Sequence, residues 1–476
     1  MSSTLPKNGL WSSLLAGVGL ALVLSGCAGG EGVEESGSNG TTGDTTTETG
    51  EPTDSGTTAA DTFVMGDALV LNGDTPTNLL IVSVDTLRAD YVYGEIEEGL
   101  SPFIEGLAEE GLKLDDHLSC SNWTVPSFYC LFTGRTTLDI GVHPLSSDMK
   151  LLPEAEVTLA ERFRRIGAWG ALVSANPLIS YGLGLIQGFH LFDSMPNAPA
   201  ESVTDRALEV LAEAEEGKPW YAQIHYYDPH AAYSPPESYL EGIEELEPIE
   251  YDLTDIDSIN EMRAVESELT PAERELIAEH AQLYYRGEVR YLDDQIARLF
   301  DGLDEMGMLD GTLVLFVADH GEQLFDHGQF QHLRDLFREE VRVPAIFWMK
   351  GGGVEPGVHT GITMHEDVVP TLAGVFDLGT GGNGDLAGLP IGEAPLDRIA
   401  LSLHGVARGS AVLARRGYDE LIYRFDNSVE IYDVATDPGE VNDLYSESHP
   451  LIGELLPVVE EAAAKLVTSG GVTPPE

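Results

Sequence analysis

Asn78-Leu79-Leu80-Ile81-Val82-Ser83-Val84-Asp85 is the stretch from which the fold can be read. A run of Leu, Ile and Val without polar alternation reads as a strand buried on both faces, the condition of a central strand in a parallel sheet. Its polar end, Asp85, falls where open α/β sheets place their sites, outside the carboxyl ends of the strands. The pattern returns as Leu313-Val314-Leu315-Phe316-Val317-Ala318, followed by Asp319-His320. Around these runs, helical periodicity appears over 101–111, 158–167, 205–215 and 282–306, with short strands at 170–174 and 220–225. This alternation predicts an α/β fold: a three-layer α/β/α sandwich on a large, mostly parallel, doubly wound sheet. Near the end the pattern changes to short strands at 399–403, 421–425 and 430–432 and a helix after Pro450, which predicts a small antiparallel C-terminal subdomain. There are no internal repeats.

The chain has 476 residues, of which 42% are hydrophobic and 8% aromatic, enough for a sizeable core. Eighty-one acidic against 25 basic residues give a net charge of −56, which argues against a nucleic-acid binder working through phosphate neutralisation. Only six of the basic residues are lysine. Such a surface is that of a protein kept soluble in high or variable salt, with attraction of divalent cations as the other reading. Three cysteines, Cys27, Cys120 and Cys130, are too few for a disulfide scaffold.

The first 27 residues carry one early positive charge, Lys7, and an apolar run that ends in Leu24-Ser25-Gly26-Cys27. This resembles the bacterial lipoprotein signal, in which the leader is removed and the cysteine, here Cys27, is acylated. A membrane-spanning helix is the weaker reading, because roughly 15 apolar residues fall short of the ~20 needed to span. Residues 28–60 are mostly Gly, Ser, Thr and Glu with only Val33 as a larger aliphatic, so they cannot bury enough surface to order themselves. From Cys27 to about Thr75 the chain is expected to form a tether of roughly 40 Å reach. The expected organisation is a signal and lipidated cysteine (1–27), a tether (28–77), a catalytic domain (78–395) and the C-terminal subdomain (396–476). The expected location is the bacterial cell envelope, on a membrane through the lipid, facing the periplasm or the cell surface.

Asp85, Asp319 and His320 are oxygen and imidazole ligands suited to a divalent metal. Taken singly, each serves equally well as a capping or surface polar group. Between them, Ser121-Asn122-Trp123-Thr124-Val125-Pro126-Ser127 places Pro126 in the first turn of a helix. A hydroxyl there meets the positive end of the helix dipole, favourable for an anionic ester, although ordinary capping has the same signature.

Taken in order, these segments resemble the sulfatase family of the alkaline-phosphatase-like superfamily from Asn78 to about Leu444. Asn78 to Asp90 is similar to its first metal-ligand strand, and Thr124 to Gly134 to its nucleophile segment. Asp228-Pro229-His230 resembles the strand end that presents a substrate-facing histidine. Asp319-His320-Gly321-Glu322 with His327, His332 and Arg342-Val343-Pro344 resembles the second ligand strand and its loop. Glu430 to Asp433 with Asp437-Pro438-Gly439-Glu440 and Asn442 is similar to the C-terminal hairpin.

The departures bear on the chemistry. Where the family carries the Cys or Ser that becomes formylglycine, this chain has Thr124, and Phe128 stands at the guiding Arg. The resemblance therefore implies no formylglycine and a Thr124 nucleophile, for which family transferases of phosphoethanolamine or glycerol phosphate are the precedent. It implies one divalent metal ion (Mn, Zn, Mg or Ca) held by Asp85, Thr124, Asp319 and His320. Thr86 stands where many members have a further ligating Asp. His230 and His332 are the expected catalytic histidines. Arg88 and His327 are candidates for the anionic substrate, with an ion pair the stronger reading for Arg88 and metal ligation or a loop role open for His327. His225 reads as a satisfied core histidine. Cys120 and Cys130 bracket the nucleophile as two buried thiols or, less favoured, a disulfide.

The function so implied is metal-dependent hydrolysis, or phosphoryl transfer, of sulfate or phosphate esters. The alternative is a non-catalytic binding protein that keeps the fold and a structural metal, motivated by Phe128 and Thr86.

Overall fold

A computed structural model describes residues 68–470 apart from 144–149, 241, 244–245, 383 and 406–409. Cys27 and most of the expected tether lie outside the described residues.

The large sheet has eight strands: β1 (Asn78–Val84), β2 (Leu112–Leu118), β3 (Trp169–Ser174), β4 (Leu191–Ser194), β5 (Trp220–Tyr226), β6 (Thr312–Ala318), β7 (Ala345–Met349) and β8 (Gly357–Met364). Their order is β4-β3-β5-β1-β6-β7-β2-β8. β7 runs antiparallel to both neighbours, β6 and β2, and every other pairing is parallel. The expected three-layer sandwich is present.

β1 explains the layering, because successive side chains of a strand point to opposite faces. Leu80, Val82 and Val84 pack with the helices Pro102–Glu110, Ala200–Leu211 and Pro271–Glu305. Leu79 and Ile81 pack with Thr124–Thr133, Leu159–Arg165 and Val368–Phe376. Having helices on both faces is why the strand needs no polar alternation.

The long helix starts eleven residues before the expected 282. Thr270 caps it by accepting from the Glu273 N–H, the Glu273 side chain returns the bond, and Pro271 opens the first turn. The weak periodicity of its charged first turns hid that start.

The C-terminal sheet is antiparallel, in the order β12-β11-β10-β9, with β9 (Ala400–His404), β10 (Ala411–Arg416), β11 (Asp419–Arg424) and β12 (Val429–Asp433). Leu455, Val459, Ala463 and Leu466 of the last helices cover one face. β10 had no counterpart in the sequence reading.

Candidate functional site

β1 and β6 are neighbours in register, Val84 opposite Ala318, so Asp85 and Asp319 leave the sheet side by side. Asp85, Asp319 and His320 are fully buried, and one ligand atom of each lies within 4.8 Å of the others. His320 Nε2 is 3.5 Å from Asp85 Oδ1, 3.6 Å from Asp319 Oδ2 and 3.5 Å from Thr124 Oγ1. The Nδ1–H of His320 donates to the Gly321 carbonyl at 3.0 Å, which leaves the Nε2 lone pair turned inward. Asp85 Oδ1 and Asp319 Oδ2 are buried without a hydrogen-bond partner. Buried anionic oxygens without donors are uncommon, and two of them converging with an imidazole nitrogen and a hydroxyl make the donor set of a divalent cation. The residues present fit such an ion.

The electrostatics agree. Burial and the neighbouring Asp85 push the Asp319 carboxyl well above the usual carboxylate range. Burial pushes Asp85 upward too, but the charge of His230, the nearby His225 ring and the charge of His320 outweigh it and hold Asp85 low. Two carboxylates this close raise the cost of ionising both, a cost that a divalent cation between them would offset.

Thr124 opens the buried helix Thr124–Thr133, entered from an extended Trp123. A disulfide joins Cys120, just past β2, to Cys130 within that helix, with their Cα atoms 6.7 Å apart. This corrects the preference for two free thiols: a helix that doubles back beside its lead-in strand brings residues ten apart within bridging distance. Phe128 packs edge-on against the His225 ring, 4.9 Å between centroids.

Asn176, two residues beyond β3, was absent from the sequence reading. Its Nδ2 donates to Asp85 Oδ2 at 2.5 Å and to Thr124 Oγ1 at 3.1 Å. Its place at the end of a parallel strand was the available signal.

The two expected catalytic histidines reach the same place. The rings of His230 and His332 are 5.0 Å apart, and His332 is 4.6 Å from His320. His332 Nδ1–H donates to Glu322 Oε1 at 2.8 Å, and Tyr233 O–H donates to Glu322 Oε2 at 2.8 Å. Burial, then the charges of His320 and His230, hold the His332 pKa well below the usual imidazole range, so it is neutral with Nε2 free. His230 Nδ1–H donates to the Ala231 carbonyl at 2.5 Å.

Arg88 and His327 are elsewhere. Arg88 is 4% exposed, and its guanidinium is taken up by Asp90, Asp326 and the Glu322 carbonyl. The structure has the ion pair, not a free cation facing a substrate. His327 stacks on Phe337 at 3.6 Å, pairs with Glu339 and contacts the Glu440 carbonyl at 3.3 Å. It joins the ligand loop to the C-terminal hairpin and is not brought to the Asp85 cluster. His225 is only half satisfied: Nδ1 meets Ser83 Oγ at 3.0 Å, while Nε2 has no partner and lies 3.7 Å from Asp85 Oδ2.

Thr86 takes a left-handed conformation, φ 54°, costly for a β-branched residue. Its N–H donates to Asp319 Oδ1 at 3.2 Å and its carbonyl accepts from Tyr285 O–H at 2.6 Å, which hold it there. A separate cavity of about 870 Å³ lies by Asn78, Trp220 and Met308, at the opposite ends of these strands. It lacks the carboxylate and imidazole convergence found here.

A family model described as Sulfatase matches residues 77–378. Choline-sulfatase of Rhizobium meliloti (strain 1021) is 29% identical over 252 residues, 50% of this chain and 46% of that protein. The chain thus spans about half the length of that relative. The phosphatidylethanolamine transferase Mcr-2 of Escherichia coli is 32% identical over 108 residues, 22% of this chain and 20% of its own. Among solved structures, the phosphonate monoester hydrolase SpPMH from Silicibacter pomeroyi superposes with a TM-score of 0.64 at 18% identity, over 83% of this chain and 96% of that one.

Proposed function

The chain belongs to the sulfatase family, and from that premise we propose that it is a metal-dependent hydrolase of anionic esters in which the Thr124 hydroxyl attacks. The observation that carries this reading is the placement of Thr124 Oγ1 3.5 Å from His320 Nε2 and 3.1 Å from Asn176 Nδ2, beside two buried carboxylates. A divalent cation held by Asp85, Asp319, His320 and Thr124 would lower the hydroxyl's pKa and screen the charge of the ester.

The chain's own groups do the rest. Asn176 donates to Thr124 Oγ1, which favours its deprotonated form, and the helix N-terminus adds positive potential at the same atom. His332, fixed by Glu322, presents Nε2 for moving a proton between water and the leaving oxygen, and His230 lies beside it. An ester formed on threonine has no hemiacetal to break down, the route a formylglycine would use. It must be cleared by a second attack at phosphorus or sulfur, which makes phosphate mono- and diesters easier substrates than sulfates. An alcohol in place of that water would make the enzyme a phosphoryl transferase, and the similarity to a phosphatidylethanolamine transferase favours testing for it.

The experiment is turnover of aryl phosphate mono- and diesters, an aryl phosphonate and an aryl sulfate with Mn, Zn, Mg or Ca, with and without an alcohol acceptor. Metal-dependent turnover lost in Thr124→Ala supports the reading. Full activity in that variant, or no turnover with any metal, contradicts it.

We propose further that Cys27 carries a lipid that holds the enzyme on a membrane of the bacterial envelope. Labelled palmitate should enter the wild-type chain and not Cys27→Ser; equal labelling of both would refute the anchor.

A further inference from the structure

Four polar residues, Tyr221, Gln223 and His225 of β5 and Ser83 of β1, form a hydrogen-bonded chain within the sheet's core. Tyr221 O–H donates to Gln223 Oε1 at 2.8 Å, and Gln223 Nε2–H donates to Ser83 Oγ at 3.0 Å. Ser83 Oγ in turn meets His225 Nδ1 at 3.0 Å. All four residues are fully buried, and Ser83 and His225 stand opposite each other in the strand register. A buried polar chain is costly unless each member is satisfied, so its direction and its end are informative. This chain ends at His225 Nε2, the orphaned nitrogen 3.7 Å from Asp85 Oδ2.

Such a relay has two possible polarities. In one, Ser83 O–H donates to Nδ1 and the proton of neutral His225 sits on Nε2. In the other, Nδ1–H donates to Ser83 Oγ, the serine proton turns to the Ile224 carbonyl 3.5 Å away, and a bare Nε2 lone pair faces the Asp85 carboxylate. The second sets two acceptors against each other in a buried, low-dielectric place, where such repulsion is strongest. We infer that His225 is a positioning residue: its Nε2–H, set by the Tyr221-Gln223-Ser83 relay, points at Asp85 Oδ2 and turns Oδ1 toward the cation site.

The hydrogen bonding of Asp85 fits. Oδ2 already accepts from Asn176 at 2.5 Å, whereas Oδ1 has no donor and is the oxygen 3.5 Å from His320 Nε2. With Oδ2 held by the Asn176 amide and faced by the His225 Nε2–H 3.7 Å away, Asp85 offers one oxygen, in one orientation. Phe128 closes the ring's flank edge-on, where the family pattern has an arginine. The inference rests on the proposed reading that Asp85 helps to hold a cation.

The test has two parts. The first is the tautomer of His225 in the metal-free full-length protein, read from two-bond 1H–15N correlations of 15N-histidine-labelled chain and assigned with His225→Gln. An Nε2–H signal that is lost or mixed in Ser83→Ala is expected. An Nδ1–H tautomer in the wild type overturns the inference whether or not metal binds. The second is Zn or Mn affinity by competition with a chromophoric chelator. His225→Phe should weaken it by about 10–100-fold, the usual effect of losing a group that orients a ligand, while His225→Gln, whose amide can donate from nearly the same position, stays close to wild type. Wild-type affinity in His225→Phe, with Asp85→Ala impaired, overturns the inference and leaves the metal reading standing. Unimpaired binding in Asp85→Ala would instead sink the metal reading, and the tautomer then decides the inference alone. Should His225→Phe fail to fold, Ser83→Ala carries the affinity test, with a smaller loss expected and no loss contradicting it.

Discussion

Asn176 touches both a metal-ligand carboxylate and the nucleophile, so its removal should affect the chemical step more than binding. Asn176→Ala is expected to lower kcat by about 10²–10³ at saturating metal, the range for one lost donor to developing negative charge. A change confined to KM would show that the amide serves the substrate instead. Arg88 gives the opposite prediction. Its carboxylate partners are partly exposed, so Arg88→Met should cost about 2 kcal/mol in a denaturant titration and leave KM for anionic esters unchanged. At this scale the sequence was legible where a side chain's chemistry was unusual for its place, as with the Asp and His residues that close apolar strands. It was illegible for Asn176, an ordinary loop amide until two other chains meet it, and for His225, whose alternating position said buried but not what its second nitrogen faces.

Among the elements, the two ligand strands were readable because burial on both faces forces an unbroken apolar run. β2, with Lys113, Asp115, Asp116 and His117 among its seven residues, carries no such run, and it was missed although it leads into the nucleophile helix. The Cys120–Cys130 bridge closes a short loop around Thr124. Removing it in a Cys120→Ala/Cys130→Ala chain should cost about 2–3 kcal/mol by the loop-entropy relation, read as a shift in denaturant midpoint. Gly321 sets a second test. A β-carbon there would lie 2.0 Å from the Glu339 carbonyl oxygen, backbone that cannot swing aside, in the segment that carries Asp319 and His320. Gly321→Ala is therefore expected to displace His320 and weaken metal binding in the chelator competition. Wild-type affinity would mean that the loop tolerates the shift.

Over the whole molecule the acidic excess repels itself, so raising salt from ~50 mM to ~1 M should raise the melting temperature of the metal-free protein. Its pH dependence follows from buried carboxyls. Burial, then the neighbouring Asp367, pushes Glu366 up to about 7, and burial pushes Asp293 up to about 6. A raised carboxyl stabilises the fold below its unfolded pKa and loses that contribution as pH rises through the folded one. Asp116 and Asp326 act oppositely. Burial opposes their ionisation, but Arg415 and Arg88 overcome it and hold them low, so they stabilise above the ordinary carboxylate pKa. Together these place the optimum near pH 5, with the melting temperature falling from there to about pH 8. A flat or rising profile over that interval would show that these carboxyls are not buried as described. The sequence disclosed the charge and the layered fold, but not this inward share of acid, because burial of a carboxylate leaves no periodic trace.

In the proposed reaction Thr124 itself carries the transferred group. The most direct measurement is peptide mass mapping of enzyme quenched in acid during metal-dependent turnover of an aryl phosphate ester. A phosphoryl group is expected on the peptide that contains Thr124, absent when metal is omitted. Steady turnover by the Thr124→Ala chain, or that phosphoryl group located on another residue, would contradict the proposed reaction.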